Sequence, residues 1–214
     1  MAQGGSLKNK IYNSVLSDIL QGNYTQDTII SEKMLIEKYQ VSKSPVRDAV
    51  IELCNEGILR SIPRYGYELV RITETDIQNI IEYRMILESE CVRIAAKKML
   101  DQEINELEQY TRQCCSIPQE VDIWKHWDNN IRFHLRLNSY AQNQYIYDKL
   151  KESMNILTRA YAQMHWNQWH KTEFSMGIEG HLEIIRCIRA RDSELAVKVL
   201  KEDISRFGSV LLNW

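Results

Sequence analysis

The distribution of glycine and proline is the feature that most restricts the fold of this chain. Between Gly66 and Gly177 the sequence contains no glycine and a single proline, Pro118. A stretch of that length without helix breakers, rich in Leu, Ile, Ala, Glu, Lys and Gln, predicts long helices. Breaks are more frequent before Gly66. We therefore expect a mainly α protein of two domains, residues 1–72 and 73–214.

Composition and charge exclude several classes of protein. The chain has 214 residues, of which 44% are hydrophobic and 26% charged, which is typical of a globular protein and not of a disordered one. No apolar run approaches the ~18 residues of a membrane span, and the N-terminus lacks the apolar core of a signal peptide. We expect a cytoplasmic protein without a membrane partner. The five scattered cysteines favour neither a disulfide framework nor a cysteine zinc site.

The first domain contains signals for three helices. Apolar residues at helical spacing over 7–20, followed by Gly22, predict the first helix. Ser31 is a suitable N-cap for the second helix, and Ser44-Pro45 predicts the start of the third. The third helix carries one apolar stripe and ends at Gly57. Its stripe consists of Val46, Ala49, Val50 and Leu53.

Two short β-prone runs, residues 58–62 and 67–71, flank a turn that contains Pro63 and Gly66. This pattern predicts a β-hairpin. Three helices followed by a hairpin form a winged helix-turn-helix, in which the hairpin is the wing.

A recognition helix contacts DNA through its N-terminal residues, where Ser42, Lys43, Ser44 and Arg47 lie in this sequence. Serine hydroxyls and a helix N-terminus suit phosphate, whereas arginine binds either guanine or phosphate. Arg64, at the tip of the predicted wing, is a further candidate. Up to Ile72 there are nine Lys/Arg and eight Asp/Glu. This balance permits DNA binding, but these residues can equally be solvated charges beside a turn.

Three segments of the first domain, residues 31–35, 41–49 and 53–59, resemble the GntR family of bacterial transcription regulators. The segment Val41-Ser42-Lys43-Ser44-Pro45-Val46-Arg47-Asp48-Ala49 is similar to the recognition-helix signature of that family. Gln40 stands where the family usually has a glycine in the turn, and a left-handed conformation there costs about 1 kcal/mol. The resemblance implies that the operator is contacted by Lys33, Ser42, Lys43, Ser44, Arg47 and the wing around Gly66.

The second domain is similar to the FadR-type C-terminal domain of GntR regulators, an antiparallel helical bundle. The similarity lies in the segments 80–96, 130–143, 179–185 and 192–196. In many members of that group one aspartate and three histidines bind a divalent metal, so the resemblance implies a site for zinc, nickel or manganese. The corresponding residues here are Asn130, His134, His181 and Asp203.

Two of these four residues depart from the family pattern. Asn130 replaces the aspartate and Asp203 replaces the last histidine, so the carboxylate moves to a different helix. Imidazole and oxygen donors suit the metals named above. The alternative is a polar core without an ion, in which Asp203 pairs with His134 or His181. His126, one helical turn before Asn130, is interpreted as a solvated side chain rather than as a ligand.

Arg84 matches a family arginine that often reaches a carboxylate effector, for which guanidinium geometry is suited. The alternative, equally favoured by the spacing, is an intrahelical pair between Arg84 and Glu88.

These features predict a one-component regulator that binds DNA through its first domain and a small organic acid through its second. We expect a homodimer on a palindromic operator, because two-fold protein symmetry matches two-fold DNA symmetry. Two alternatives remain open. One is a metal-dependent hydrolase that uses His134, His181 and Asp203, although the enzyme motifs G-x-S-x-G and H-E-x-x-H are absent from the sequence. The other is a module that binds protein rather than DNA.

Overall fold

The computed structural model describes residues 6–114, 123–165 and 178–212. The chain divides into two compact units, with the boundary in sequence between Ile72 and Thr73. A short segment that begins at Tyr161 is grouped with the first unit. Within the described ranges, no helix combines the length and the apolar composition that crossing a bilayer requires.

The first unit contains three helices followed by a two-stranded antiparallel hairpin, as predicted. Its elements are α1 (Leu7–Leu20), α2 (Glu32–Tyr39), α3 (Lys43–Asn55), β1 (Leu59–Ile62) and β2 (Gly66–Leu69). The predicted apolar stripe of α3 is fully buried and packs with Ile11, Val15 and Ile19 of α1. This core holds α3 so that its opposite face meets solvent.

The sequence placed the start of α3 two residues too late. Ser42, and not Ser44, is the residue before the helix, which begins at Lys43. Pro45 is then the third helical residue, which is tolerated because the first four N–H groups of a helix have no intrahelical partner. The Ser31 cap is confirmed, since its side chain accepts a hydrogen bond from the Met34 amide at 3.1 Å.

The turn between α2 and α3 depends on a residue in the left-handed conformation. Gln40, at the position usually taken by glycine, has φ 52°, and its side-chain amide donates to the Glu37 carbonyl at 2.6 Å. That hydrogen bond ends α2 and offsets part of the backbone strain.

Backbone hydrogen bonds join the wing to the segment between α1 and α2. Ile30 and Tyr67 exchange N–H···O bonds of 2.8 Å in both directions. Gly66, the first residue of β2, has φ 138°, and a Cβ there would lie 2.5 Å from the Ile30 carbonyl oxygen. Packing of the wing therefore requires glycine at this position, independently of any contact with DNA.

The second unit is all-helical over its described residues. Its helices are α4 (Glu74–Lys98), α5 (Asp101–Cys114), α6 (Ile123–Ser139), α7 (Gln144–His165), α8 (Glu179–Arg189) and α9 (Ser193–Leu212). A capping box between Thr73 and Asp76 begins α4. Helix α4 packs against α6, α8 and α9, which brings polar residues of four helices to one place in the core.

Candidate functional site

The residues proposed to contact DNA lie on the solvent side of the first unit. Ser42, Lys43, Ser44 and Arg47 are all exposed at the start of α3. The side chain of Lys33, on α2, is 85% exposed. Because the buried stripe of α3 faces inward, the N-terminal turns of this helix present their polar side chains together.

Two of the basic side chains form only loose ion pairs. Lys43 Nζ is 3.7 Å from a Glu32 carboxylate oxygen, and Lys33 Nζ is 3.9 Å from Glu37. Exposed pairs of this kind contribute about 0–1 kcal/mol, so a phosphate group can replace the partner at little cost. Arg64 is exposed in the hairpin turn with φ 72°.

The second candidate site is a buried polar cluster in the helical unit. Asn130 and His134 lie one turn apart on α6, His181 lies on α8 and Asp203 on α9. His134 Nε2 is 3.2 Å from Asp203 Oδ2, His181 Nε2 is 3.7 Å from the same oxygen, and Asn130 Nδ2 is 3.1 Å from His181 Nε2. The four residues implied by the resemblance therefore converge.

Arg84 and Glu88 of α4 complete this cluster. Both side chains are fully buried, and Arg84 Nε donates to Glu88 Oε1 at 2.7 Å. The other carboxylate oxygen, Oε2, is 2.8 Å from His134 Nδ1 and accepts from Asn138 Nδ2 at 3.1 Å. The intrahelical pair considered from the sequence is thus present, and Glu88 also connects Arg84 to His134.

The buried charges shift one another's pKa values. Burial raises the pKa of Glu88, but the positive charges of Arg84 and His134 more than compensate and hold it at about 2. Burial also raises the pKa of Asp203, yet the hydrogen bond from His134 and the charges of His181 and His134 bring it below its ordinary value. Both carboxyl groups are therefore ionised at neutral pH.

The pKa values of the two histidines shift in opposite directions. Burial lowers the pKa of His181 to about 4, in spite of the nearby carboxylate of Asp203. His181 is therefore neutral near pH 7, the form in which imidazole binds metals. Burial opposes the charged form of His134 as well, but the carboxylates of Glu88 and Asp203 raise the pKa of His134 overall.

The geometry is compatible with a divalent metal. One ligand atom from each of His134, His181 and Asp203 lies within 4.8 Å of the others, and all three residues are buried. Two imidazoles and one carboxylate are a donor set that suits zinc, nickel or manganese. In addition, Asn130 Oδ1 is buried and has no hydrogen-bond partner among the described residues. Such an atom is costly unless a ligand satisfies it.

The absence of a side chain at Gly180 leaves room for the carboxylate of Asp203. A Cβ at this position of α8 would lie 2.5 Å from Asp203 Oδ1 and 3.4 Å from Asp203 Cγ. Any larger residue would have to displace the Asp203 side chain, because real Cβ atoms do not approach that closely.

Gly180→Ala is expected to lower the free energy of unfolding by about 1–2 kcal/mol, as overpacking does in a buried site. Gly208→Ala on α9 is the matched control, because its Cβ would meet Ile81 at 3.4 Å, an ordinary contact. Urea denaturation should show Gly208→Ala to be neutral or stabilising. In an Asp203→Ala background Gly180→Ala should no longer destabilise, and an unchanged loss there would contradict the pairing.

Three residues of the cluster were not assigned to it by the sequence. Glu88 was considered only as a partner of Arg84, and Asn138 was passed over although it follows His134 by one helical turn. The four-residue spacing between His134 and Asn138 could have indicated that both face the cluster. No sequence pattern indicates the role of Gly180, because that role depends on Asp203 of another helix.

A winged helix-turn-helix joined to an all-helical domain with a buried polar cluster defines a class of transcription regulators. Residues 7–69 match the family of bacterial regulatory proteins, gntR family, and residues 79–206 match the FCD domain. The chain belongs to the GntR family, in the FadR-type group that carries an FCD domain. The members are transcription regulators and not enzymes, which decides against the hydrolase alternative.

Relatives and solved structures agree with this assignment. The chain is 24% identical over 204 residues to the HTH-type transcriptional repressor RspR of Escherichia coli, covering 94% of this chain and 87% of the repressor. It is 23% identical to the gluconate operon transcriptional repressor of Bacillus licheniformis, covering 86% and 76%. The structure of E. coli McbR/YncC has the same fold, with TM-score 0.76, 18% identity and coverage of 96% and 97%.

Proposed function

We propose that this protein binds an operator through its winged helix and that a divalent metal and a carboxylate effector in the helical bundle control its affinity for DNA. The observation that carries the effector half is the fully buried Arg84 beside Glu88, His134, His181 and Asp203. Buried charges are costly unless they are paired or bind a ligand, so a cluster of this size in an otherwise apolar core indicates a binding site.

On the DNA, each α3 enters the major groove with Ser42, Lys43, Ser44 and Arg47 at its leading end. Arg47 reads a base or holds a phosphate, Lys33 and Lys43 contact phosphates, and Arg64 reaches the backbone or the minor groove from the wing. The protein acts as a homodimer on a palindromic operator, with one winged helix on each half-site.

Lys43→Ala is expected to reduce the slope of log affinity against log salt concentration by about one unit, because one phosphate contact fewer releases about one counterion fewer. The slope is measured by titrating operator DNA at several salt concentrations. Lys98→Ala, an exposed lysine at the end of α4, is the control with the same change in charge. An equal slope for both variants would contradict the role given to Lys43.

In the bundle, His134, His181 and Asp203 would hold the metal. Asn130 Oδ1 would join them after its amide turns, because Nδ2 is the atom that faces His181 Nε2 at 3.1 Å. The metal supplies a fixed positive charge for an anionic effector. Arg84 Nη1 and Nη2 are buried and lack hydrogen-bond partners in the described parts of the chain, so they are free to bind a carboxylate bidentately. The name of one relative refers to a gluconate operon, and gluconate is itself a carboxylate.

His134→Ala is expected to abolish binding of stoichiometric metal, because it removes one of three close donors. Calorimetric titration with Zn²⁺, Ni²⁺ and Mn²⁺ separately, on protein freed of metal, measures this. His126→Ala is the control, since this half-buried histidine is not part of the described cluster of ligand atoms. Absence of binding to the unaltered protein by all three ions would refute the metal site.

The function is tested by a mobility shift with the promoter fragment next to the gene for this chain, with and without metal and a panel of small organic acids. Retardation shows operator binding, and a change with one acid identifies the effector class. Coupling between two sites is typically about 1–3 kcal/mol, a change of about 5- to 150-fold in affinity. No retardation of this or any selected duplex would favour the protein-binding alternative.

A further inference from the structure

Glu88 occupies the centre of the buried cluster and uses both of its oxygens. Oε1 accepts from Arg84 Nε at 2.7 Å, whereas Oε2 is 2.8 Å from His134 Nδ1 and 3.1 Å from Asn138 Nδ2. All of these side chains are buried, so water does not compete for them.

An ionised carboxylate only accepts hydrogen bonds, so the 2.8 Å contact requires a proton on His134 Nδ1. The opposite nitrogen, Nε2, faces Asp203 Oδ2 at 3.2 Å and by the same rule shares a proton with that carboxylate in the metal-free protein. It is the nitrogen whose proton a cation can replace, because Nδ1 stays paired with Glu88. We propose that Glu88, held in place by Arg84, is a positioning residue that fixes the proton of His134 on Nδ1 and directs Nε2 to the ligand of the site.

Arg84 determines which atom of the side chain at position 88 faces His134. Its guanidinium has donors and no acceptor, so whichever atom faces Nε must be an oxygen. In Glu88→Gln the amide oxygen is therefore held by Arg84, and the amide NH₂ points to His134. His134 Nδ1 must then accept, so the imidazole carries its proton only on Nε2. Asn138 Nδ2 also donates to the His134 carbonyl oxygen at 2.8 Å, so in this variant it keeps that hydrogen bond and loses the one to position 88.

The consequence for metal binding depends on the function proposed above. When a metal replaces the proton on Nε2, the neutral imidazole must keep its remaining proton on Nδ1, where the amide NH₂ of the Glu88→Gln variant cannot accept it. Loss of a carboxylate behind a histidine ligand typically lowers metal affinity by about 10- to 100-fold. We expect Glu88→Gln to weaken Zn²⁺ or Ni²⁺ binding by that factor. The position of the imidazole proton is a separate property that exists without metal.

The test is ¹⁵N NMR of histidine-labelled, metal-free protein, with the His134 signals assigned by their loss in His134→Ala. In the unaltered protein Nδ1 should carry a proton, and in Glu88→Gln it should be the unprotonated nitrogen. Asn138→Ala is the matched control, because it removes a hydrogen bond from the same Glu88 oxygen without changing the donor that His134 needs. Its Nδ1 should remain protonated.

A double variant, Arg84→Met with Glu88→Gln, provides the rescue. Without Arg84 the glutamine amide can turn its oxygen to His134, so Nδ1 should again be protonated. This variant also lacks the buried unpaired charge, so it can be measured if the single variant does not fold. An unprotonated Nδ1 in the unaltered protein, or the same protonation in the single variant as in the unaltered protein, would overturn the proposal. If His134 Nδ1 is protonated as expected but the unaltered protein binds no metal, the positioning role of Glu88 is supported and the metal site is refuted.

Discussion

Glu88→Ala is expected to lower the free energy of unfolding by about 3–5 kcal/mol, the usual cost of removing one partner of a buried ion pair. Arg84 and Glu88 are both fully buried, and the guanidinium nitrogens Nη1 and Nη2 have no hydrogen-bond partner in the described residues. The Phe207 ring, 5.1 Å from Arg84 Cζ, is a weaker partner than a carboxylate. Because Glu88 also accepts from His134 and Asn138, its removal leaves three buried donors unsatisfied.

Two controls make this loss interpretable in urea denaturation. Asp128→Ala breaks the Arg132–Asp128 pair, which has the same spacing on α6 but is exposed, and should cost about 0.5 kcal/mol or less. The double variant Arg84→Met with Glu88→Leu removes both charges and should recover most of the stability. If Glu88→Ala and Asp128→Ala were equally mild, the buried pair would not have the energetic role inferred from its burial.

Arg47→Ala should weaken operator binding by about 1–3 kcal/mol, or about 5- to 150-fold, if this side chain reads a base. Arg47 is exposed near the start of α3, and its neighbour Val46 is fully buried and anchors the helix. The substitution should therefore leave stability almost unchanged, which separates a loss of contact with DNA from a loss of fold.

Affinity is measured by titration at one fixed salt concentration, with Arg206→Ala, an exposed arginine of α9, as the control for the change in charge. A base contact also predicts relaxed specificity at one operator position. Equal affinity of the Arg47→Ala variant and the unaltered protein would remove Arg47 from the interface.

Short-range patterns in the sequence were sufficient for the elements of the first unit. The spacing of the α3 stripe, the Ser31 cap and the hairpin around Gly66 all agree with the structure, because each depends on residues within a few positions of one another. The sequence marked Gln40 as the residue at the usual glycine position of the turn but left its conformation open, and the structure has it left-handed. The predicted start of α3 was two residues too late because Ser42 and Ser44 are both acceptable caps, and the local sequence does not distinguish them.

The candidate site in the second unit was only partly accessible from the sequence. Resemblance indicated Asn130, His134, His181 and Asp203, and the sequence itself determined that they lie on helices. Their distances, the two-sided role of Glu88 and the space that Gly180 leaves for Asp203 were decided by the tertiary structure. The physical reason is that these contacts join different helices, α4, α6, α8 and α9, whose relative rotation and depth are set by the packing of the whole core and not by the periodicity of any one helix.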